Sequence, residues 1–329
     1  MGSNVDAQMR TGRTRLLHGE IFWNEYAAWL KECGYELRPR LRPGWIPSWT
    51  VTKKEPYECE DSSFGTRNYA FMDAKDASTG HVVAMKRINQ QNYPNELAIA
   101  TFLTSEEKSS DRRNHCVPIL RILPVPNEEG PIIIFRTISE GVQFFREILE
   151  FIHHNRVAHY DGGFTNHMMD ATSMYGPDSF HPDQMDLKYD FSSRARHRSR
   201  TERPPKYYFI DFGLSFLYKP DELPATTKRR PKHDPFAVDI YYLGNAFRAF
   251  LRRLRGMKGF EFMEPLIAAM AESDLAKRIK IDEAVEKSLS AMTLRSRVVY
   301  NTDFTIFRPF KAIGLIARGI PAIPTPLSQ

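Results

Sequence analysis

The hydrophobic period of this chain changes near residue 137, and no other feature constrains its fold as strongly. Before the change, Val82-Val83-Ala84-Met85-Lys86, Ile119-Leu120-Arg121-Ile122-Leu123 and Ile132-Ile133-Ile134-Phe135 are short apolar runs. Gly80 and a Pro/Asn/Gly turn punctuate them, which predicts strands, and Pro94 marks the start of one helix among them. After the change, Ile138, Val142, Phe145, Leu149 and Ile152 recur at three- and four-residue steps, the spacing of an amphipathic helix. Two further helical blocks are expected, over 237–256 and 261–291. A strand-rich half followed by a helical half predicts an α+β fold. Ahead of both, residues 1–60 form an extension. Phe22, Tyr26, Trp29 and Leu30 fall at helical spacing there, and Trp45 and Trp49 flank Pro47 in a strap expected to pack on the fold.

At 329 residues, 42% hydrophobic and 26% charged, the chain can bury a large core or two packed lobes, which excludes wholesale disorder. Cys33, Cys59 and Cys116 are odd in number and widely spaced, so neither a disulfide framework nor a zinc site is expected. No run approaches the ~18 apolar residues a membrane helix needs. The start, Met1-Gly2-Ser3-Asn4-Val5-Asp6, has no apolar signal core, and Asp6 breaks the myristoylation pattern. The expectation is an intracellular, soluble protein without membrane contact. A net charge of +6 gathers at Arg194, Arg196, Arg198, Arg200 and Arg203, and at Lys228, Arg229, Arg230 and Lys232. Neither cluster interleaves aromatics that could stack on bases, so solvated loops are expected before a nucleic-acid site.

Between these halves stands an ordered set of polar residues. His159-Tyr160-Asp161 is followed by Asn166, five residues after the aspartate, and then by Asp211-Phe212-Gly213 behind the apolar run Tyr207-Tyr208-Phe209-Ile210. Phosphoryl-transfer enzymes use such spacings. One aspartate orients the attacking hydroxyl, while an asparagine and a second aspartate present the hard oxygens that Mg²⁺ prefers. Upstream, Lys86 ends a strand and Glu96 opens a helix ten residues later.

In that order the set is similar to the active-site residues of protein kinases. Further segments narrow the resemblance. Asn95-Glu96-Leu97-Ala98-Ile99-Ala100, Asn114-His115-Cys116-Val117-Pro118-Ile119-Leu120, Asp234-Pro235-Phe236, Val238-Asp239-Ile240-Tyr241-Tyr242-Leu243-Gly244-Asn245 and the N-terminal Arg42-Pro43-Gly44-Trp45-Ile46-Pro47-Ser48-Trp49 look like the kinase-like proteins abundant in mushroom-forming (basidiomycete) fungi. The similarity covers most of residues 18–300. It implies a two-lobed protein-kinase-like domain over 61–293: a small β-rich N-lobe to about 135 and a larger α-helical C-lobe from about 137, with ATP in the cleft. Residues 171–205 would be an inserted surface loop, and 294–329 a tail.

The resemblance implies that Lys86 bridges ATP phosphates and pairs with Glu96. Asp161 would be the catalytic base, with Asn166 and Asp211 as Mg²⁺ ligands. Asp239 would hydrogen-bond the catalytic-loop backbone, and His159 would support that loop. Arg278 would tie down the end of the activation segment or form a surface salt bridge. The expected activity is transfer of the γ-phosphate of ATP to Ser or Thr hydroxyls of a protein substrate. The alternative is a pseudokinase, a binding or scaffold module.

Four departures bear on that choice. Gly65 and Gly80 do not make a glycine-rich loop. Tyr160 stands where kinases carry an arginine that pairs with a phosphorylated activation loop, so control by such phosphorylation is not expected. Gly163 and Thr165, rather than a cation, follow Asp161. Phe135 runs directly into Arg136-Thr137-Ile138, so about a dozen connector residues are missing; the segment 218–234 is short and contains no Ala-Pro-Glu.

Overall fold

A run of three isoleucines and a phenylalanine can be satisfied as a strand only if both of its faces are covered. In the computed structural model, which describes residues 15–62, 69–136, 139–140, 146–175, 180–200, 202–220, 234–253, 263–275 and 277–291, that run is an inner strand. In chain order the strands are β1 (Tyr35–Leu37), β2 (Phe71–Asp76), β3 (Val82–Arg87), β4 (Ile119–Leu123), β5 (Ile132–Arg136), β6 (Ser139–Glu140), β7 (Val157–Ala158), β8 (His167–Asp170), β9 (Phe180–His181), β10 (Gln184–Lys188), β11 (Lys206–Phe209) and β12 (Phe216–Leu217). The helices are α1 (His18–Glu25), α2 (Ala27–Glu32), α3 (Glu96–Leu103), α4 (Glu106–Ser109), α5 (Arg146–His154), α6 (Thr172–Tyr175), α7 (Pro235–Arg253), α8 (Glu264–Met270) and α9 (Ile281–Ala291). At 38% helix and 21% strand, with a small antiparallel sheet, the fold is α+β. None of the described helices is long and apolar enough to cross a membrane.

The described residues divide into two compact units. The first draws on Met1–Asn89, Pro118–Ser139 and Asp170–His197; the second on Gln90–Val117, Glu140–Met169 and Arg198–Gln329. This differs from a single crossing near residue 136. The helix α3 belongs with the second unit because it packs on the turn Phe212–Leu214. The insertion belongs with the first as far as His197.

In the first unit the sheet runs β1-β2-β3-β5-β4, every pair antiparallel. Ile132, Ile133, Ile134 and Phe135 of β5 are all buried, whereas β4 at the edge leaves Leu120, Arg121 and Ile122 exposed. The N-terminal residues are part of this sheet's core rather than an appendage. Trp23 and Leu30 are fully buried in one cluster with Met72, Met85, Ile132 and Ile134, and Trp23 Nε1 donates to Tyr69 O at 3.0 Å. Downstream, Trp45 Nε1 donates to Asp61 Oδ2 at 2.9 Å, and the Trp45 and Trp49 rings meet edge-on at 6.1 Å.

The stretch 171–205, expected as a surface loop, instead carries α6 and the hairpin β9–β10. Phe180 and His181 are buried, and the Tyr175 and Phe180 rings lie 4.3 Å apart. Its attachment is electrostatic. Arg38 Nη1 stands 3.6 Å from Asp183 Oδ2, and the Tyr189 hydroxyl donates to Asp73 Oδ2 at 2.7 Å.

In the second unit α9 packs on α5 and α8, and α7 packs on α8. Leu149 and Ile152 of α5 are buried as their spacing requires; Ile138, Val142 and Phe145 lie outside the described residues. The expected block 261–291 is two helices, not one. Lys277 and Arg278 N–H both donate to Asp274 O, a turn that Ser273 and Asp274 favour over helix continuation. Between α7 and α8, a Cβ on Gly244 would come within 2.8 Å of Met270 Cβ, so only glycine permits this helix contact. Residues 137–138, 141–145, 221–233 and 292–329 lie outside the described residues. With them go most of the connector question, most of the short segment 218–234, the cluster Lys228, Arg229, Arg230 and Lys232, and the tail.

Candidate functional site

Lys86 lies in β3 of the first unit, opposite Phe71 of β2 and Ile133 of β5. Its side chain is buried, with Nζ 5.3 Å from the centre of the Phe71 ring. Glu96, in the second unit, is buried in the first turn of α3, where a carboxylate complements the positive end of the helix.

The other three sequence-derived site residues meet in the second unit, organised around His159. Its ring is fully buried between Phe209, with centroids 4.0 Å apart, and Phe212 at 5.2 Å. His159 Nε2 is 3.1 Å from Ile210 O, and Asp161 N–H donates to Nδ1 at 3.2 Å. A carbonyl only accepts and an N–H only donates, so Nε2 carries the proton and the ring is neutral. Burial lowers the pKa of His159, in agreement with a neutral ring. One imidazole therefore spans the residue before Asp211 and the backbone of Asp161, the supporting role expected of it.

Asn166 is fixed by the same logic. Nδ2 donates to Asp161 O at 2.9 Å, and because that carbonyl only accepts, Oδ1 points elsewhere. Ile210 N–H in turn donates to Asn166 O at 3.1 Å. The backbones bearing Asp161, Asn166 and Asp211 are thus tied pairwise. Asp211 adopts a left-handed conformation (φ 66°, ψ 72°), costing a non-glycine residue about 1 kcal/mol, and its Oδ1 accepts from Gly213 N–H at 3.3 Å. Tyr93 borders the turn, its ring 3.2 Å from where a Cβ on Gly213 would stand.

Beneath the loop, Asp239 of α7 is fully buried. Oδ2 accepts from His159 N–H at 2.8 Å and Oδ1 from Tyr160 N–H at 2.6 Å, the backbone role expected for it. His153 Nε2 is 3.0 Å from Oδ2, with its ring 4.8 Å from Phe236. Arg278 forms no ion pair among the described residues. It donates to Ala237 O at 2.8 Å and Glu272 O at 2.7 Å, with its guanidinium 4.7 Å from the centre of the Tyr241 ring. It ties the start of α7 to the turn after α8. His167, beside Asn166, is buried and its pKa is pushed down to about 3 by that burial.

Sequence spacing missed His153, Arg156, Ser215 and Tyr218, all bonded to this loop or its flanks. His153 carried a faint signal, as the polar residue one step after the apolar Ile152 of α5. Among the described residues no group of three or more His, Cys, Asp or Glu forms a metal centre. An ion held by one carboxylate, one amide oxygen and substrate phosphates requires none. No protein-family model matches this chain, and no curated protein does.

Proposed function

We propose that this chain is a two-lobed protein-kinase-like phosphotransferase that uses ATP and Mg²⁺ to phosphorylate Ser or Thr hydroxyls of a protein. The observation that carries the proposal is the pairwise tying of Asp161, Asn166 and Asp211. Asn166 turns its nitrogen to Asp161 O and so keeps Oδ1 for a cation, while Asp211 holds a left-handed backbone closed by Gly213 N–H on its own Oδ1. Asn166 Oδ1 and the Asp211 carboxylate are the hard donors that would hold Mg²⁺, and the ion would neutralise charge on the phosphates. Asp161 would accept the hydroxyl proton. Its backbone N–H is held by neutral His159, which fixes the position from which the carboxylate would act. Lys86 would supply the cation for the α- and β-phosphates, with Glu96 as its partner.

Nucleotide that binds the folded state raises its melting temperature by mass action, by about 2.7 kcal/mol of stability at about 100 times Kd. Millimolar ATP with Mg²⁺ is expected to raise the melting temperature by several degrees, and Asp211→Asn to abolish the magnesium-dependent part. A rise that Asp211→Asn retains, or that needs no Mg²⁺, would favour a nucleotide-binding pseudokinase. No rise at all would leave a scaffold module.

A further inference from the structure

Downstream of Asp211 the chain is joined to the flank of Asp161 by bonds internal to the protein. β12 pairs with β7, Phe216 opposite Ala158 and Leu217 opposite Val157. Tyr218 N–H donates to Arg156 O at 2.9 Å, and the Arg156 guanidinium donates to Tyr218 O at 3.2 Å and to Lys219 O at 2.5 Å. The Ser215 hydroxyl donates to His159 O at 3.2 Å. At the end nearest Asp161, the Tyr160 and Tyr218 hydroxyls are 2.8 Å apart. Tyr218 is buried, with its ring 5.9 Å from Phe236, and Tyr160 packs edge-on against Phe216 at 6.0 Å.

Arg156 (φ 60°) and Tyr160 (φ 62°) both hold left-handed backbone, which non-glycine residues adopt only when their surroundings enforce it. For Tyr160 the enforcing groups are at its two ends. Its N–H is held by Asp239, and its hydroxyl by Tyr218. The residue immediately before Asp161 is therefore gripped from below through the backbone and from the side through the phenol.

We propose that the Tyr160–Tyr218 hydroxyl pair is a latch that positions Asp161 and keeps residues 215–219 in place without phosphorylation. Tyr160 and Tyr218 act as positioning residues. The catalytic half of this inference rests on the phosphotransferase reading; the mechanical half rests on the bonds alone.

The test is a double-mutant cycle on the full chain with Tyr160→Phe, Tyr218→Phe and both. Each variant is followed by amide hydrogen exchange and by Mg²⁺-ATP turnover. Phenylalanine keeps the ring packing, and half-buried Tyr160 gives a second route should the buried position 218 not tolerate change. Each single variant is expected to speed exchange across 158–161 and 216–219 by about threefold to tenfold, the worth of one hydrogen bond. The double variant should match the singles, since either change removes the same bond. Turnover should fall by a similar factor while the KM for ATP stays within about twofold. Unchanged exchange in both singles, or effects that multiply in the double, would overturn the latch. Coupled exchange with unchanged turnover would overturn positioning. Wild-type protein that neither binds nor turns over ATP would end the phosphotransferase reading and the catalytic half with it, and the exchange cycle alone would then decide the latch.

Discussion

Arg38 in the first unit and Asp239 in the second are both buried charges, and they are stabilised in opposite ways. Around Arg38 stand side-chain carboxylates. Asp73 Oδ1 is 3.2 Å from Nε, and Glu60 Oε1 and Asp183 Oδ2 are 3.5 and 3.6 Å from Nη1. Burial alone would lower its pKa, but Asp73, then Glu60 and Asp183, outweigh it and push the value up. Arg38 Nε and Glu60 Oε1 nonetheless lack aligned hydrogen bonds, so those contacts act as charge attraction more than as directional bonds. Around Asp239 the donors are His153 and two consecutive backbone N–H groups. The difference separates two jobs. Partners from three distant stretches make Arg38 a fastener of elements. Backbone partners from two adjacent residues make Asp239 a template for the conformation of one loop.

The comparison can be broken at either end. Arg38→Ala leaves three carboxylates facing one another with little solvent, and breaking a buried pair typically costs about 3–5 kcal/mol. Urea unfolding of this variant should show the largest loss of stability among these variants, while the Mg²⁺-ATP binding proposed above, measured below the unfolding transition, should stay near wild type. A loss under about 1 kcal/mol would mean that the hairpin β9–β10 is held by packing alone.

Asp239→Asn should show the reverse balance. The amide keeps one acceptor and turns an NH₂ toward a donor, removing one charge-assisted hydrogen bond worth about 1.5–3 kcal/mol. Stability should fall less than in Arg38→Ala. If the chain is the phosphotransferase proposed above, turnover with Mg²⁺-ATP should fall at least about tenfold, because a displaced His159–Tyr160 backbone misplaces Asp161. Equal kinetic effects from the two variants would erase the distinction between fastener and template.

Which parts of this arrangement the sequence discloses follows from how far apart the partners lie. β3, β4 and β5 declared themselves because each is a short apolar run bounded by turn residues, and α5 and α7 because their buried residues recur at helical steps. Asp161, Asn166 and Asp211 were legible through spacing along one stretch, and Asp239 through the words around it. The Arg38 cluster was not. Arg38 and Asp183 lie far apart in sequence, and a buried arginine looks the same in a sequence as a solvated one. The hairpin β9–β10 was hidden for a related reason: its polar, Asp- and Ser-rich composition reads as loop, and its burial comes from tertiary partners such as Arg38 and Asp73. The division at 271–280 was lost because a period count tolerates one interrupting turn. Tyr218 gave no signal because a tyrosine's role depends on what its hydroxyl meets.

A partly exposed carboxylate sharpens the comparison by moving the Asp239 arrangement into water. Asp76, at the turn between β2 and β3, accepts at Oδ1 from Ser78 N–H at 2.8 Å, the Ser78 hydroxyl at 2.7 Å and Thr79 N–H at 3.4 Å. The Ser78 hydroxyl foremost, joined by the Ser78 and Thr79 backbone N–H groups, holds its pKa below the ordinary carboxylate range against the opposing effect of burial. Because the folded value lies below the unfolded one, the stabilisation is present above about pH 4 and is lost as pH falls through the folded pKa. Solvent screens these bonds, so Asp76→Asn should lower the melting temperature at pH 7 by only about 1 °C. Melting curves of variant and wild type should then converge as the pH drops below about 4. A gap that persisted in acid would show that the carboxyl shape, not its charge, organises the turn. Backbone donors would then template a loop equally well around a neutral acceptor, and the large kinetic effect expected of Asp239→Asn would lose its basis.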